Sequence, residues 1–489
     1  MPEHHKNTYD AVIIGAGIGG LVCGCYLAKA GMKVLIVEQH YQPGGYCTSF
    51  KRKGFVFDAA AHSFGSCREG GNMRMILESL DLYQKLKIKK FDPSDIIIAP
   101  DYKITFWADI HKTIQGLQDA FPNEAKKIES FIQYLVTSKV IDFAALRKKT
   151  FEDLLNQFFA DDKLKAILSF PILGNGALPP SLISAFTGSK IFTEFLLDGG
   201  YYPGDSIQTL PDALSERFRE FGGELRLSSL VKKIKVTDSK VMGIVLENDG
   251  FIRAKYVVSN CDARQTFLKL LGRKIIGEDI KQKIDSMIPS LSIFVLYIGL
   301  DKHFASLPNC GTNIWHLPHY NLEKMYFSAK NLDKNYLNYY MVRYSPDSKT
   351  ILGFVNAPFK TKRFWADNKS KFMDIFVKKV EEYIIPDLSQ HIIYKEAATP
   401  YTMYRYTLNY KGAAYGWATF PTQLFTPELR QTTPIDGLFL TGHWTTQTQG
   451  IPGVAYVGYH TAESIIKRSC KDRLSKLSDK SIESLLQVP

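Results

Sequence analysis

The chain has 489 residues, of which 45% are hydrophobic and 22% are charged. This length exceeds what one hydrophobic core organises and predicts two or three domains, and the composition is typical of an ordered globular protein. The formal net charge of +12 comes from scattered basic residues without a nucleic-acid-binding motif. We therefore expect no nucleic-acid partner, whereas attraction to an anionic membrane surface stays open.

Cysteine content and apolar runs indicate the compartment. The seven cysteines form no C-x-x-C pair, and no group of residues has metal-ligand spacing, so we expect neither a disulfide framework nor a metal site. The first apolar run begins within ten residues of Met1 and is typical of a short strand that leads into a glycine turn, which argues against a signal peptide. No uninterrupted apolar run reaches the ~18 residues of a membrane-spanning helix. These features predict a cytoplasmic protein, soluble or peripheral on the membrane.

Residues 9–38 are typical of a strand, a glycine turn, a helix and a second strand. Gly15, Gly17 and Gly20 satisfy G-x-G-x-x-G, with Gly19 beside them. The first glycine permits the tight turn, the second lets a pyrophosphate approach the backbone, and the third lets helix and strand pack closely. Glu38 ends the second strand, where a carboxylate can accept hydrogen bonds from ribose hydroxyls and repels a 2′-phosphate. This unit predicts an ADP-containing dinucleotide, either NAD or FAD; an ordinary glycine turn is the alternative.

The next segment carries a more specific pattern. It consists of four residue pairs in the order Gly44-Gly45, Ser49-Phe50, Gly54-Phe55 and Phe57-Asp58. This pattern resembles the FAD-binding start of the phytoene desaturase, carotenoid isomerase and retinol saturase family, which itself resembles the flavin amine oxidases. His62, four residues after Asp58, is most similar to the retinol saturase branch.

The middle of the chain is apolar and helical. Residues 150–200 are rich in large apolar side chains and are interrupted by Gly174, Gly176, Pro179 and Pro180, so they cannot form one spanning helix. Core packing explains most of these side chains, and the resemblance implies that others line a tunnel or contact lipid. Further on, residues 371–384 have the pattern of an amphipathic helix, and the aromatic residues between 401 and 420 suit a pocket for an extended apolar substrate.

Two later segments return to the cofactor. Residues 231–260 are typical of short alternating strands, and the resemblance implies that the backbone of Val231 meets the adenine. The strand at 437–442 ends in a glycine and precedes a helix that begins near Ile451, whose positive dipole end would lie under the flavin. This closely resembles the C-terminal FAD motif of the family, although His443 stands where the family usually carries an acid.

The resemblance implies the following cofactor-binding residues: Gly15, Gly17, Gly19, Gly20, Glu38, Gln39, Gly44, Gly45, Ser49, Val231, Gly442, His443, Gly450, Ile451 and Val454. His62 is the candidate catalytic residue, because a histidine near the flavin ring could supply or take a proton. A hydrogen-bonded structural histidine is the alternative for His62.

We therefore predict an α/β protein with a discontinuous Rossmann-like FAD-binding domain, an α+β substrate-binding domain that carries a mixed sheet, and an apolar helical region. The FAD-binding domain would comprise residues 1–75, 200–268 and 432–470, and the substrate-binding domain residues 76–120 and 269–431. The apolar region 121–199 would face the substrate or the membrane, and residues 471–489 would form a C-terminal tail.

The predicted function is an FAD-dependent oxidoreductase that desaturates, saturates or isomerises C–C double bonds of a long polyene, isoprenoid or other lipid. Hydride would pass between a substrate carbon and flavin N5, and no motif identifies the electron acceptor. One alternative is an amine-oxidase-like flavoenzyme on a smaller polar substrate. The other is a non-catalytic protein similar to the escort proteins of prenylated small GTPases.

Overall fold

A computed structural model describes residues 8–138, 145–248, 250–301, 310–333, 336–347, 349–445 and 449–485, with backbone alone at 428 and from 473 onward. Two seven-stranded sheets organise this part of the chain. The helices are Ile18–Lys29, Asn72–Ser79, Ile110–Ala120, Ala125–Thr137, Phe151–Phe158, Asp162–Gly176, Ala185–Ile191, Thr209–Glu220, Glu278–Ser286, Leu322–Asn331, Lys362–Tyr383, Pro400–Thr407 and Gly450–Leu485, with π-helical turns at Phe192–Leu197 and Gln265–Gly272.

The first sheet has a parallel centre and an antiparallel edge. Its strands, in spatial order, are Val231–Thr237, Lys240–Leu246, Phe251–Ser259, Thr8–Ile14, Val34–Val37 and Glu224–Arg226, and Leu438–Leu440 also pairs with Phe251–Ser259. Alternate side chains of the strand Thr8–Ile14 enter two different cores, with Ile13 on one face of the sheet and Val12 on the other. Because both faces are covered, the central strands are apolar throughout.

The second sheet is mixed, as predicted. Its strands are Ile392–Ala398, Ser292–Leu300, Thr350–Ala357, Tyr340–Tyr344, Asn313–His316, Asp95–Ile98 and Lys103–Phe106, in spatial order. All neighbours are antiparallel except Asn313–His316 and Asp95–Ile98. Two small antiparallel pairs lie outside these sheets. Ser49–Arg52 and Phe55–Asp58 form a hairpin, and Ile88–Lys90 pairs with the distant strand Tyr201–Pro203. The predicted α/β fold class is confirmed.

Helix ends follow local capping chemistry. The helix predicted over 371–384 begins at Lys362, because the side chain of Thr361 accepts a hydrogen bond from the Phe364 N–H at 3.2 Å and so caps the first turn. The C-terminal helix begins at Gly450 and continues without interruption through residue 470 to Leu485.

The apolar region 121–199 packs mostly inward. Its large side chains join one core with the second sheet, and Phe131, Phe151, Phe170 and Phe192 are fully buried there. In the described residues of this region, Val136 is the one large apolar side chain that is mostly exposed. No helix in the described part of the chain is both long and apolar enough to span a membrane.

Candidate cofactor and substrate cavity

A cavity of about 600 Å³ lies where the glycine loop of the first sheet faces the second sheet. Its walls come from widely separated segments of the chain. They include most of the predicted site residues, namely Gly15, Gly17, Gly19, Glu38, Gln39, Gly44, Gly45, His62, Val231, Gly442, His443, Gly450, Ile451 and Val454. We call the glycine-rich part of this wall, Gly15–Gly19 with Glu38, Gly44–Gly45 and Gly442, the cofactor cradle.

The glycine loop leaves no room for side chains. Gly15 has φ +98°, and a Cβ at Gly20 would lie 2.2 Å from the Gly15 carbonyl oxygen. Gly20 therefore packs the helix Ile18–Lys29 against the strand and does not line the cavity. Gly17 at the N-cap supplies no side-chain acceptor, so the N–H groups of the first helical turn are available to phosphate oxygens.

Asn260 joins the glycine loop to the C-terminal segment. Its Nδ2 donates a hydrogen bond to the Gly15 carbonyl at 3.2 Å. A Cβ at Gly17 would lie 2.9 Å from this Nδ2, and a Cβ at Gly442 would lie 2.4 Å from Oδ1 of the same side chain. Sequence reasoning missed Asn260, although its place directly after the return strand Phe251–Ser259 could have indicated it.

Glu38 follows the strand Val34–Val37 and is held by the backbone. Its Oε2 accepts a hydrogen bond from the Ala16 N–H at 2.7 Å, and Oε1 accepts one from the His40 N–H at 2.9 Å. Burial raises the pKa of the Glu38 carboxyl, and these N–H groups oppose that shift. Each carboxylate oxygen has a second lone pair, so the orientation fixed here leaves Glu38 able to accept from ribose hydroxyls.

The Gly44–Gly45 turn closes the cradle from another side. Both residues have positive φ, +124° and +64°, and the Gly44 N–H donates to the Ala16 carbonyl at 2.8 Å. Ser49 does not line the cavity. Its hydroxyl donates instead to Asp58 Oδ1 at 2.9 Å, behind the wall.

The C-terminal helix points its N-terminus at the cavity. Gly450 and Ile451 line the cavity. A Cβ at Gly458 would lie 2.4 Å from the Gly19 carbonyl, so this helix crosses the helix Ile18–Lys29 in close contact. His443 Nε2 lies 3.3 Å from Asn409 Nδ2. Burial lowers the pKa of His443 to about 4, which keeps its imidazole neutral at pH 7.

His62 lies deeper in the cavity wall and is only 9% exposed. Neither ring nitrogen has a hydrogen-bond partner among the described residues. The ring centroid lies 5.5 Å from that of Phe354. Burial, reinforced by the nearby Arg343 cation, lowers the pKa of His62 to about 3. A buried polar ring without a partner is costly, so His62 is a side chain that a ligand would satisfy, as are His40 Nε2 and Gln449 Oε1 in the same wall.

Two donors from the second sheet hold the segment that carries His62. The hydroxyl of Tyr297 donates to the Ala59 carbonyl, and Arg343 Nη1 donates to the His62 carbonyl. Arg343 Nε also donates to the Gly311 carbonyl at 2.9 Å. Tyr297 and Arg343 lie in one transverse row of the sheet, because each pairs with Leu352 in the strand between them. Sequence reasoning missed both residues, although a cation within an apolar strand could have indicated Arg343.

The apolar side of the cavity comes from the second sheet and the helical region. Ile293, Phe354, Ile191 and Phe195 line it. Of the aromatic residues between 401 and 420, Tyr406 and Tyr415 line the cavity.

The cofactor cradle fits the diphosphate and ribose of an FAD. It offers two helix N-termini, the Glu38 carboxylate and glycines at positions where any side chain would clash.

Comparison with known proteins agrees with this geometry. The flavin containing amine oxidoreductase family matches residues 18–466. An all-trans-retinol 13,14-reductase from Danio rerio is 25% identical, over 88% of this chain and 82% of that protein. A chloroplastic prolycopene isomerase from Daucus carota is also 25% identical, over 98% of this chain and 84% of that protein. These relatives confirm the predicted resemblance.

Solved structures share the fold. An oxidoreductase from Methanosarcina mazei has a TM-score of 0.64 at 17% identity, covering 93% of this chain and 99% of that one. Cyclohexylamine oxidase from Brevibacterium oxydans has a TM-score of 0.61 at 14% identity, covering 94% and 99%. The chain belongs to the flavin-containing amine oxidoreductase family and is an FAD-dependent oxidoreductase.

Proposed function

We propose that the protein desaturates, saturates or isomerises C–C double bonds in a long apolar polyene or other lipid. The observation that carries this proposal is the apolar wall of Ile191, Phe195, Ile293 and Phe354, which is continuous with the cofactor cradle in a single cavity. A long chain laid along this wall reaches the flavin end of the cavity without leaving an apolar surface. The names of the relatives, a retinol reductase and a prolycopene isomerase, support the same substrate class.

We propose that different segments of the chain bind different parts of FAD. The glycine loop and the first turn of Ile18–Lys29 hold the diphosphate, Glu38 with Gln39 accepts from the ribose, and the backbone of Val231 meets the adenine. Residues 442–454 and Gly44–Gly45 hold the flavin end. Bound FAD supplies a ring that accepts or returns hydride. The domain division predicted above also stands as a proposal, and it is supported by the separation of the strands into two sheets.

In this proposal, the chain itself positions the substrate and controls protons. Phe354 and the apolar wall orient the polyene and exclude water from the reacting carbon. His62 holds or moves a proton at one of its ring nitrogens. Because the imidazole is neutral, one nitrogen can donate while the other accepts. Tyr297 and Arg343 act as positioning residues, since they fix the backbone carbonyls on either side of Ala60–Ala61.

The test is anaerobic reaction of the purified yellow protein with a substrate panel. The enzyme with oxidised flavin and the enzyme with photoreduced flavin would each be mixed with retinol, carotenes, unsaturated acyl chains and amines, while the flavin spectrum and the lipid products are recorded. We expect the flavin to change oxidation state with a polyene or lipid, or the lipid to isomerise without net flavin change. A flavin that responds to amines alone would refute the proposal in favour of an amine oxidase. A protein that stays colourless with added FAD would favour the non-catalytic alternative.

We also propose that the protein contacts the membrane surface peripherally, since its lipid substrate would reside there. The net charge of +12 supports attraction to anionic lipid. Co-sedimentation with phosphatidylserine-containing liposomes at low salt tests this. Binding should weaken as salt screens the charge, and a protein that ignores anionic and neutral liposomes alike would contradict the proposal.

A further inference from the structure

One end of the cavity is charged. Arg52, Lys369 and Glu396 all line it, and we call these three residues the charge cluster. Lys369 Nζ lies 2.5 Å from Glu396 Oε1, and the same oxygen accepts a hydrogen bond from the Ala397 N–H at 2.9 Å. The cluster brings together the hairpin Ser49–Arg52, the helix Lys362–Tyr383 and the strand Ile392–Ala398. The cavity therefore has a second polar region here, apart from the polar cofactor cradle.

Sheet register relates this end to the rest of the cavity. Glu396 pairs with Tyr297 across adjacent strands, and Val295, two residues before Tyr297, pairs with both Ala398 and Phe354. Since paired and i, i+2 residues share a face, Glu396, Tyr297, Ala398 and Phe354 lie on one face of the second sheet. Among the residues of this face that line the cavity, Glu396 on the edge strand is charged, whereas Phe354 two strands further in is apolar; Arg343 on the same face does not line the cavity.

Exposure changes in the same direction. The side chains of Lys369 and Glu396 are 36% and 38% exposed, and Arg52 is exposed too. His62, beside Phe354, is 9% exposed. The charge cluster therefore lies at the solvent end of the cavity, and the candidate catalytic histidine lies at its buried end.

The cluster contains two cations and one carboxylate. Burial raises the pKa of the Glu396 carboxyl, but Lys369, the Ala397 N–H and the Arg52 cation together lower it. Lys369 forms the ion pair with Glu396, and no carboxylate among the described residues lies within 4 Å of the Arg52 guanidinium. Arg52 Nη1 donates to the neighbouring Lys51 carbonyl at 2.8 Å, and the guanidinium lies 5.5 Å from the centre of the Phe50 ring. A guanidinium has five N–H donors in a fork that matches a carboxylate, so Arg52 retains donors for one more anion.

We propose that the charge cluster binds the carboxylate end group of an amphipathic lipid substrate, whose chain then runs along the sheet face toward Phe354 and His62. The proposal rests on the proposed function and narrows its substrate class from any polyene or lipid to one with an acidic end. A monoanion matches the single excess positive charge of the cluster. A dianionic phosphate would be undercompensated there and would lie closer to the repulsive Glu396 carboxylate.

The experiment compares two ligands with the same polyene and different end groups. All-trans-retinoic acid and all-trans-retinol would be titrated into the FAD-loaded protein at low salt, and quenching of tryptophan fluorescence would give each Kd. We expect retinoate to bind about five-fold more tightly, the size of one partly exposed charge-assisted contact. The preference should shrink at high salt.

Two variants separate the charge cluster from general surface charge. Arg52→Gln should remove the preference for retinoate and leave the Kd of retinol unchanged. Lys51→Gln is the matched control, because Lys51 precedes Arg52 on the same exposed strand but does not line the cavity. Lys51→Gln should retain the preference. Both side chains are exposed, so flavin content and circular dichroism should be those of the wild type.

The outcomes distinguish this inference from the proposed function. If both retinoids bind with equal affinity, or if Arg52→Gln leaves the preference intact, the inference is refuted while the proposed function stands. If neither retinoid nor any other lipid of the panel binds, the proposed function fails and the inference fails with it.

Discussion

Replacing Arg343 with Met should strongly destabilise the protein. Arg343 is 2% exposed and lies between the rings of Phe91 and Tyr202, at 4.9 and 4.8 Å. Its donors satisfy the carbonyl oxygens of His62 and Gly311, and the cation also faces the buried carboxyls of Asp58 and Asp95. Burial lowers the pKa of Arg343, and these anionic neighbours oppose that shift.

The expected cost follows from these contacts. Two buried carbonyl groups without a donor lose about 1–3 kcal/mol each. The Asp58 and Asp95 carboxyls also lose a nearby cation, but neither forms an ion pair with Arg343 within 4 Å, so this loss costs less than breaking a buried ion pair. We therefore expect Arg343→Met to lower the free energy of unfolding by about 4 kcal/mol, mainly from the two carbonyl groups.

Urea unfolding of the FAD-loaded protein, followed by circular dichroism and by flavin fluorescence, measures this change. Arg253→Met is the matched control, because Arg253 is exposed on the first sheet. We expect its effect to stay within about 0.5 kcal/mol. Arg343→Lys should fall between the two, since it keeps the charge and loses the fork of donors. A loss below about 1 kcal/mol for Arg343→Met would refute the reasoning.

Three further predictions follow from the site. Gly20→Ala should abolish FAD binding, because its Cβ would lie 2.2 Å from a backbone oxygen, while Gly277→Ala, with nothing within 4 Å, should bind FAD normally in a flavin-content assay. His62 has its pKa lowered to about 3, so the unfolded chain binds more protons below pH 6.5 and this contribution to stability falls as pH drops from 6.5 toward 3. The free energy of unfolding of His62→Gln, measured with urea, should therefore fall less steeply with decreasing pH than that of the wild type. Equal pH dependence of the two proteins would contradict the lowered pKa of His62. Tyr297→Phe removes the donor to the Ala59 carbonyl and should lower kcat more than it raises KM, since it loosens the segment before His62; an unchanged kcat would argue against a positioning role.

The cofactor cradle was largely predictable, because its requirements are local. Glycine is needed where the backbone turns with positive φ or approaches a ligand closely, as at Gly15, Gly17 and Gly44. The requirement therefore appears in the sequence as glycine at fixed spacing. Glu38 directly follows the four-residue apolar strand Val34–Val37, which places it at the end of the sheet beside the glycine loop. These local signals predicted an α/β fold and an ADP-containing dinucleotide, and the resemblance of Gly44–Gly45, Val231 and residues 442–454 to the family implied that it is FAD.

Element ends were less predictable where a side chain decides them. The helix pattern beginning at 371 reflected an apolar face, whereas the structural helix starts at Lys362 because Thr361 caps it. In the apolar region 121–199, core packing was expected to explain most large side chains of residues 150–200, and others were expected to face substrate or lipid. Most of the large apolar side chains of the region pack in the core with the second sheet. Apolar composition does not distinguish a lipid-facing surface from a buried one, because both exclude water.

The sequence by itself therefore determined the fold class and most of the cradle, since these depend on short segments with their own backbone rules, and its resemblance to a family implied the cofactor. Only the tertiary structure decided what surrounds His62 and which side chains lie at the solvent end of the cavity. Asn260, Tyr297, Arg343 and the charge cluster contribute from strands, a hairpin and a helix that are distant in sequence and are aligned by sheet register. Pairing between strands that are distant in sequence produces no local sequence pattern from which it could be predicted. The substrate specificity proposed for this protein depends on that pairing.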